Sequence, residues 1–366
     1  MISRRQLLAL GALTVLGCNG IERTPDSAAS SAEGVAGTPR RKIISLNGAG
    51  ATFPYPLYSK WMSEYNRINP QVRINYQSIG SGGGIRQVVA GTVDFGASDA
   101  PMKGEEASRA AGKLTHLPMT IGAVAVSYNL DGLSAPLKLT SEAVSGIFLG
   151  EITRWNDARI AQANPGAKLP DRNIEVVFRT DGSGTTAIFS EYVASISPAF
   201  KEKVGVGKSV RWPIGFGAKG NEGVTGQLKI TPGAIGYIEL AYATQNKLAC
   251  AAVQNRAGYF VTPTIEAATA AADGVEMPDE LHVSLAGATG AAAYPIASYT
   301  YLLVYDDAKD VNKGQALARF VWWATHEGQK YAKGLDYAPL PASVVSKVEA
   351  KLKALHSGGT KLLDGV

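Results

Sequence analysis

The sequence predicts an α/β protein whose mostly parallel sheets are covered by helices. Strand-like apolar runs alternate with helix-like runs from residue 43 onward, which is the pattern of that class. Glycine-rich turns separate the runs, and many of the 41 glycines lie there. The chain has 366 residues, 45% of them hydrophobic, which is enough for two domains with sizeable cores. Ligands of such sheets bind outside the carboxyl ends of the strands.

The predicted strands and helices follow one another along the chain. Apolar or alternating runs predict strands at 43–47, 72–77, 94–97, 121–128, 173–179, 234–240, 248–253 and 295–305. Apolar residues at helical spacing predict a helix that opens at Pro54 and further helices at 85–93, 140–149, 156–163, 183–195, 314–327 and 342–355. We expect two interleaved domains with the long strands at 121–128 and 295–305 as crossovers.

Residues 1–17 have the pattern of a signal peptide. Arg4 and Arg5 precede an apolar stretch at 7–17 that is too short to span a bilayer. Ser-Arg-Arg-Gln-Leu-Leu at 3–8 also resembles a twin-arginine signal, so the export route stays open between the general and the twin-arginine pathways.

The stretch ends in Val-Leu-Gly-Cys at 15–18, which resembles a bacterial lipobox. We therefore expect lipidation of Cys18, the alternative being a plain signal peptide with a chance cysteine. Residues 18–42 have many Ser, Gly and Pro residues and no apolar period, which predicts a flexible, lipid-anchored tether. If Cys18 carries a lipid, Cys250 has no partner and no disulfide is expected.

The charge pattern excludes one class of partner. The formal net charge of +5 is small and spread along the chain, and charged residues make up 18% of it. No basic run with interleaved aromatic residues is present, so we expect no nucleic-acid partner. A mildly basic surface is compatible with an anionic ligand or a membrane.

Four turns rich in glycine, serine and threonine carry the chemical information. Each follows a strand-like run, and three lead into a helix-like run, where free backbone N–H groups and hydroxyls make a ready anion site. The turns at 80–84 and 182–185 lack the spacing of a dinucleotide loop and the lysine of a nucleotide P-loop. One such turn is most simply a strand-to-helix connection, whereas four predict a single oxyanion held from several sides. The four turns span residues 48–54, 80–84, 96–101 and 179–186.

Arg179 stands at the end of a predicted strand, at the start of the fourth turn. A guanidinium there can make a two-pronged contact with a tetrahedral oxyanion. Asp181, two residues further on, can hold the arginine by an ion pair. The alternative is that the two residues form only a surface salt bridge.

Asp99 in the third turn is unusual for an anion site and indicates which anion binds. An ionised carboxylate accepts hydrogen bonds and repels a fully deprotonated anion. Monohydrogen and dihydrogen phosphate carry a proton near neutral pH that they can donate to Asp99, whereas sulfate carries none. We therefore expect Asp99 to discriminate phosphate from sulfate. The alternative is that Asp99 caps a helix in Ser-Asp-Ala-Pro, with Pro101 early in that helix.

The same turns carry a family resemblance that runs from about residue 43 to residue 355. The motifs that carry it are Gly-Ala-Gly-Ala-Thr-Phe-Pro at 48–54, Tyr-Gln-Ser-Ile-Gly-Ser-Gly-Gly-Gly at 76–84, Val-Asp-Phe-Gly-Ala-Ser-Asp-Ala-Pro at 93–101, Asp-Gly-Ser-Gly-Thr at 181–185, Trp-Pro-Ile-Gly-Phe-Gly-Ala-Lys-Gly-Asn at 212–221, Gly-Ala-Ile-Gly-Tyr-Ile-Glu at 233–239 and Leu-Asp-Tyr-Ala-Pro-Leu-Pro at 335–341. With these motifs in the family's order, the chain resembles the periplasmic phosphate-binding proteins of Pst-type ABC transporters. Two local departures are Gly82, where the family often has serine, and Phe178, where it often has a basic residue.

The resemblance implies a two-domain periplasmic-binding-protein fold with a hinged interdomain cleft. It implies domain I at 43–126 plus 294–366 and domain II at 127–293. The family's phosphate ligands correspond here to Thr52, Phe53, Ser81 and Asp99 on one side and to Arg179, Ser183, Gly184 and Thr185 on the other. Asp181 corresponds to the acid that pairs with the arginine.

The resemblance also implies a role in transport. The expected function is high-affinity binding of inorganic phosphate and its delivery to the membrane permease subunits of an ABC transporter, which work with a cytoplasmic ATPase. The expected location is the periplasm or the cell surface, with the protein anchored to a membrane through the lipid on Cys18. We expect no enzyme activity, no cofactor and no bound metal.

Three other functions compete with this interpretation. A phosphatase would use Ser183 as its nucleophile, but the histidines lie far from every turn motif, no cluster has metal-ligand spacing and no Gly-x-Ser-x-Gly elbow is present. The histidines are His116, His282, His326 and His356. A binding protein for another tetrahedral oxyanion, such as sulfate or molybdate, is the second alternative, and Asp99 argues against it. The third, a surface lipoprotein used for adhesion, would leave the predicted set of donors unexplained.

Overall fold

The structure is a computed structural model that describes residues 43–133 and 135–363. The predicted signal peptide at 1–17, the tether at 18–42 and the lipidation of Cys18 lie outside the described residues. Among the helices of the described ranges, none has both the length and the apolarity that a membrane span requires.

Strands and helices alternate along the described ranges. The strands are β1 (Ile44–Gly50), β2 (Val72–Ser78), β3 (Phe95–Ser98), β4 (Leu114–Tyr128), β5 (Lys138–Leu139), β6 (Glu175–Arg179), β7 (Phe216–Ala218), β8 (Ala234–Glu239), β9 (Ala249–Cys250), β10 (Ala252–Gln254), β11 (Phe260–Val261), β12 (Ala297–Tyr305), β13 (His356–Ser357) and β14 (Thr360–Lys361). The α-helices are α1 (Tyr55–Ile68), α2 (Ser81–Val89), α3 (Gly104–Ala107), α4 (Ser141–Leu149), α5 (Ala158–Ala161), α6 (Gly184–Ile196), α7 (Pro198–Lys203), α8 (Gly220–Ile230), α9 (Leu240–Gln245), α10 (Ile265–Ala272), α11 (Val311–Thr325) and α12 (Ala342–Ala354). Short 3-10 helices cover Glu327–Tyr331 and Lys333–Leu335.

The main sheet has parallel flanks and an antiparallel centre. Its strands lie in the order β2-β1-β3-β12-β4-β8-β6-β7 within the described residues, with β9 also paired to β4. Strand β1 runs parallel to β2 and β3, and β6 runs parallel to β7 and β8. Strands β12 and β4 run antiparallel to each other, as do the pairs β12–β3 and β4–β8. The prediction of mostly parallel sheets is therefore right for the flanks and wrong for the centre, where the two longest strands lie.

Strand β4 is longer than the sequence predicts. The apolar run at 121–128 forms only its second half, because the strand begins at Leu114. Its first half contains Pro118, which lacks the N–H of a regular strand residue, and a register shift leaves Met119 without a partner on β12. The strand thus pairs with β12 along its first part and with β8 along its second.

Helix α2 begins four residues earlier than the sequence predicts, at Ser81. Glycines at 82–84 have low helix propensity, so the sequence pattern favours a turn there. The structure uses them in the first turn of the helix because the packing is close: a Cβ on Gly84 would lie 2.5 Å from the backbone oxygen of Ala49. The N-terminus of α2 therefore meets the end of β1.

The two domains expected from the family resemblance share one body of hydrophobic packing. Buried residues of the predicted domain I, such as Leu57 and Phe95, belong to the same apolar cluster as Phe148 and Tyr237 of the predicted domain II. The boundaries at 43–126 plus 294–366 and at 127–293 stay a prediction.

Candidate functional site

The four turns follow the carboxyl ends of β1, β2, β3 and β6, and the structure brings them together. Backbone and side-chain contacts join the second turn to the fourth: Gly82 donates its N–H to the oxygen of Gly182 at 2.8 Å, and Gly184 donates its N–H to Ser81 Oγ at 3.1 Å. All the polar side chains that the sequence predicts as ligands are at most 4% exposed, which is rare for such residues. They are Thr52, Ser81, Asp99, Arg179, Ser183 and Thr185.

Arg179 and Asp181 form a buried, two-pronged ion pair. Arg179 Nε donates to Asp181 Oδ1 at 2.8 Å and Nη2 donates to Oδ2 at 2.6 Å, and the arginine side chain is 1% exposed. Asp181 also accepts the N–H of Gly220 at 3.0 Å. Burial acts to raise the pKa of Asp181, but the hydrogen bonds and charge of Arg179 hold it below its ordinary value. The pair exists as predicted, and the alternative of a surface salt bridge is wrong.

Asn221 orients two threonine hydroxyls, although the sequence did not single it out as a site residue. Its Nδ2 group donates to Thr52 Oγ1 at 2.8 Å and to Thr185 Oγ1 at 3.2 Å, and its backbone N–H donates to Thr52 Oγ1 at 3.2 Å. Thr185 Oγ1 accepts a further bond from Arg179 Nη1 at 3.2 Å. Each threonine oxygen thus accepts two hydrogen bonds, so its own hydrogen is left to donate. The available signal was that Asn221 ends one of the family motifs.

The first turn contains backbone donors without acceptors. Thr52 and Phe53 are buried, and their N–H groups find no acceptor among the residues that the structure describes. Buried N–H groups are almost always paired, because an unpaired one loses its hydration without compensation. Two adjacent N–H groups of this kind indicate a place where an external acceptor binds.

The fourth turn adds a helix N-terminus to the site. Ser183 caps α6, with its Oγ accepting the N–H of Thr186 at 2.9 Å, and its hydroxyl hydrogen has no acceptor in the described ranges. Gly184 must be glycine, since a Cβ there would lie 2.4 Å from both Asp99 Oδ2 and Ser81 Oγ. The absence of a side chain lets the start of α6 touch the second and third turns.

Asp99 supplies the carboxyl group of the site. Its Oδ1 accepts Thr300 Oγ1 at 2.8 Å, and its Oδ2 accepts Ser81 Oγ at 3.3 Å. The next helix begins at Gly104 and is capped by Lys103, so the alternative that Asp99 caps a helix is wrong. Burial raises the pKa of Asp99 to about 7, against the Thr300 hydrogen bond and the Arg179 charge, which both lower it. The carboxyl therefore exchanges a proton near neutral pH.

Two histidines, His116 and His282, lie next to the site without hydrogen bonds to its predicted ligands in the described ranges. The described residues include no group of three His, Cys, Asp or Glu side chains that could hold a metal ion. His116 accepts the N–H of Met102 at 3.0 Å and packs on His282, and burial lowers the pKa of His116 to about 4. His282 and Asp99 line a cavity of about 270 Å³ next to the site, but no hydrogen bond joins the two residues.

Comparisons with known proteins give a consistent result. A sequence profile described as a PBP superfamily domain matches residues 27–327. The chain is 44% identical over 346 residues to the phosphate-binding protein PstS of Xylella fastidiosa, covering 93% of this chain and 94% of that protein. It is 45% identical over 312 residues to the protein of the same name from Pasteurella multocida, covering 84% and 90%.

Solved structures give the same fold. A high-affinity periplasmic phosphate-binding protein, PfluDING, solved with bound phosphate, superposes with a TM-score of 0.71 at 22% identity, covering 88% of this chain and 99% of that chain. A putative phosphate ABC transporter substrate-binding protein from Clostridium perfringens, also with bound phosphate, gives a TM-score of 0.62 at 19% identity, covering 81% and 100%. At these identities the likeness bears on the fold, and it confirms the predicted periplasmic-binding-protein class.

Replacing Asp99 by asparagine tests its buried titration. The folded-state pKa of about 7 stands above the ordinary 3.8, so the folded state disfavours the charged form. Below the ordinary pKa of 3.8, Asp99 is protonated in both the folded and the unfolded state. Between 3.8 and about 7 the stability of the fold decreases as pH rises, and above about 7 the loss of stability stays constant. We expect the free energy of unfolding of Asp99→Asn to equal that of the wild type near pH 3.8. Above the folded-state pKa of about 7, we expect the variant to be more stable than the wild type by a few kcal/mol.

The measurement is the free energy of unfolding of both proteins across this pH range, in buffer without oxyanions. The other titrating groups are the same in the two proteins, so their contributions cancel in the difference. A difference that does not change with pH would contradict the account of Asp99.

Proposed function

We infer that this chain, which belongs to the PstS family of phosphate-binding proteins within the PBP superfamily, binds inorganic phosphate and delivers it to the permease of an ABC transporter. One observation carries the inference: buried donors that lack protein acceptors surround a single buried carboxyl group. A tetrahedral oxyanion that still holds a proton complements this set, because it accepts many hydrogen bonds and donates one.

We propose that the ligands divide between two sides of the anion. On one side are the hydroxyl and N–H of Thr52, the N–H of Phe53, the hydroxyl of Ser81 and the carboxyl of Asp99. On the other side are the guanidinium of Arg179, the hydroxyls of Ser183 and Thr185 and the backbone of Gly184 at the start of α6. The free hydroxyl hydrogens of Thr52, Ser183 and Thr185 and the unpaired N–H groups of the first turn support this assignment. Ser81 and Gly184 donate to protein acceptors in this structure and would have to exchange them for the anion.

Asp99 and phosphate share one proton in the proposed complex. Dihydrogen phosphate beside an ionised Asp99 and monohydrogen phosphate beside a protonated Asp99 contain the same number of protons. The pKa of about 7 for Asp99 means that either partner can hold the proton near neutral pH. Sulfate carries no proton at that pH, so a hydrogen bond between sulfate and this carboxyl forms only when Asp99 is protonated and acts as the donor.

The role is binding rather than catalysis. The relatives that define the family are named phosphate-binding proteins. Ser183 Oγ accepts a backbone N–H, and within the described residues no histidine or carboxylate hydrogen-bonds to it as a general base would. The phosphatase alternative therefore lacks its activating group, and another oxyanion as ligand is tested below.

The location follows from the family and from the N-terminal sequence. Members of this family are periplasmic substrate-binding proteins, so the chain acts outside the cytoplasmic membrane. We propose further that residues 1–17 are removed, that Cys18 carries a lipid and that residues 18–42 tether the folded part to a membrane near the permease. The lipobox-like Val-Leu-Gly-Cys at 15–18 supports this anchor.

We propose that phosphate binding closes a hinge between the two predicted domains. Several contacts join residues of opposite domains at the site, including Ser81 with Gly184 and Thr52 with Asn221. Strand β4, which pairs with β12 in its first part and β8 in its second, continues from one predicted domain into the other. The closed arrangement would be the form that the permease recognises.

Calorimetric titration with phosphate, and with sulfate as the matched control, tests the proposed function. A ligand that binds only the folded state adds about 2.7 kcal/mol of stability at about 100 times its Kd. At one pH unit above the Asp99 pKa of about 7, where this carboxyl is mostly ionised, we expect phosphate to bind and to raise the Tm, and sulfate at the same concentration to bind more weakly and to raise the Tm less. Equal binding and equal Tm shifts for the two ions would indicate a general oxyanion site, and no shift with phosphate would contradict the proposal.

The Arg179–Asp181 pair is tested by a double-mutant cycle. Arg179→Ala removes a charge-assisted contact in a buried site, so we expect a loss of about 1.5–3 kcal/mol, or one to two decades in phosphate affinity. Asp181→Asn only loosens the arginine, so its loss is smaller and is not additive with the first. Fully additive losses would show that the aspartate does not act through the arginine.

The control for this cycle is Arg159→Ala. Arg159 makes the same two-pronged contact with Asp157, two residues away, with bonds of 3.0 and 2.8 Å, but its side chain is 34% exposed and lies outside the four turns. We expect this substitution to leave phosphate affinity unchanged.

A further inference from the structure

Three tyrosine hydroxyls bind three consecutive carbonyl groups of the first turn. Tyr76 donates to the oxygen of Ala51 at 2.7 Å, Tyr242 to that of Thr52 at 2.6 Å and Tyr337 to that of Phe53 at 2.6 Å. These tyrosines lie 25, 190 and 284 residues along the chain from the carbonyls that they bind. Such a convergence is not a product of local backbone geometry.

The hydroxyls come from separate parts of the fold. Tyr76 is in β2, where it stacks between Tyr55 and Phe95. Tyr242 is in α9 and is 7% exposed, and Tyr337 precedes α12 and is fully buried. The first turn is therefore held by groups that are themselves fixed by packing.

Peptide geometry connects these bonds to the free donors of the site. In a trans peptide the C=O and the N–H point in opposite directions, and the described residues contain no cis peptide bond. The Ala51 carbonyl shares its peptide plane with the Thr52 N–H, and the Thr52 carbonyl shares its plane with the Phe53 N–H. Tyr76 and Tyr242 thus fix the directions of the two N–H groups that lack protein acceptors, and the Tyr242 hydroxyl has a second, longer contact of 3.1 Å with Glu222 Oε1.

The third carbonyl, that of Phe53, shares its peptide plane with no N–H group, because the next residue is Pro54. The bond from Tyr337 fixes the position of Phe53 itself. Tyr337 has one hydrogen and two acceptors in reach, the Phe53 carbonyl at 2.6 Å and Glu239 Oε2 at 3.0 Å, and the shorter contact is the one with the carbonyl. Burial raises the pKa of Glu239 well above its ordinary value.

We infer that Tyr76, Tyr242 and Tyr337 are positioning residues that aim the Thr52 and Phe53 N–H groups at the oxyanion. This tyrosine clamp, defined by those three side chains, rests on the proposed function of phosphate binding. Donors held in place before the anion arrives need no reorganisation when it binds, so removing a hydroxyl weakens binding without removing a ligand. Phosphate affinity thus depends on three hydroxyl groups that do not touch the anion.

The test uses the full chain with Tyr76→Phe, Tyr242→Phe and Tyr337→Phe, singly and in pairs. Tyr192→Phe is the matched control, since Tyr192 is fully buried like Tyr337 and its hydroxyl donates to a single carbonyl, that of Gln254, at 3.2 Å. Phosphate Kd is measured by calorimetry and Tm by calorimetry without phosphate. We expect each of the three clamp substitutions to weaken phosphate binding about tenfold, and the control to lower Tm with less than about a twofold change in Kd.

A second readout separates positioning from general stability. The amide NMR signals of Thr52 and Phe53 should shift on phosphate addition in the wild type and shift less in the clamp variants. If Tyr337→Phe fails to fold, the partly exposed Tyr76 provides the decisive variant. Wild-type affinity in all folded clamp variants, or an equal loss in Tyr192→Phe, would overturn the inference, whereas a wild-type protein that does not bind phosphate would instead refute the proposed function.

Discussion

The site depends on an excess of buried donors over acceptors. Thr52 and Phe53 present N–H groups without partners, and Asn221 occupies the threonine oxygens so that their hydrogens point elsewhere. Without a ligand, each of these buried donors lowers the stability of the folded chain, because it has lost its hydration and has no protein acceptor. A bound anion would supply the missing acceptors, and the neighbouring hydrogen bonds hold the donors in the positions where it would bind.

Charge sets the second constraint on the ligand. Arg179 is neutralised largely by its two-pronged contact with Asp181, so the site does not attract anions by an unpaired buried charge. We therefore assign selectivity to Asp99, whose carboxyl accepts hydrogen bonds from Thr300 of the central strand β12 and from Ser81 of the second turn. A carboxyl that titrates near neutral pH can match an anion that does the same, which is a narrower requirement than negative charge.

Sequence reasoning predicted the parts of this site that are local. Strand-to-helix turns have recognisable glycine, serine and threonine patterns, so the turns that contain Ser81, Ser183 and Gly184 could be placed in advance, whereas the family resemblance implied that these residues are ligands. The partners of those residues could not, because Asn221, Thr300 and Tyr337 reach the site through tertiary packing across long stretches of chain. The antiparallel centre of the sheet was missed for a related reason: strand direction depends on pairing partners, and an apolar run looks the same in either direction.

The central claim is that Asp99 selects phosphate over sulfate by accepting a hydrogen bond from the proton on the anion. Its most direct test is the ratio of phosphate affinity to sulfate affinity in the wild type and in Asp99→Asn, measured one pH unit above and one below the pKa of about 7. In the wild type the ratio should fall at the lower pH, where a protonated Asp99 can donate to sulfate. In Asp99→Asn the ratio should be low at both values, because the amide offers an N–H to either anion and repels neither. An equal ratio in the two proteins at the higher pH would contradict the claim.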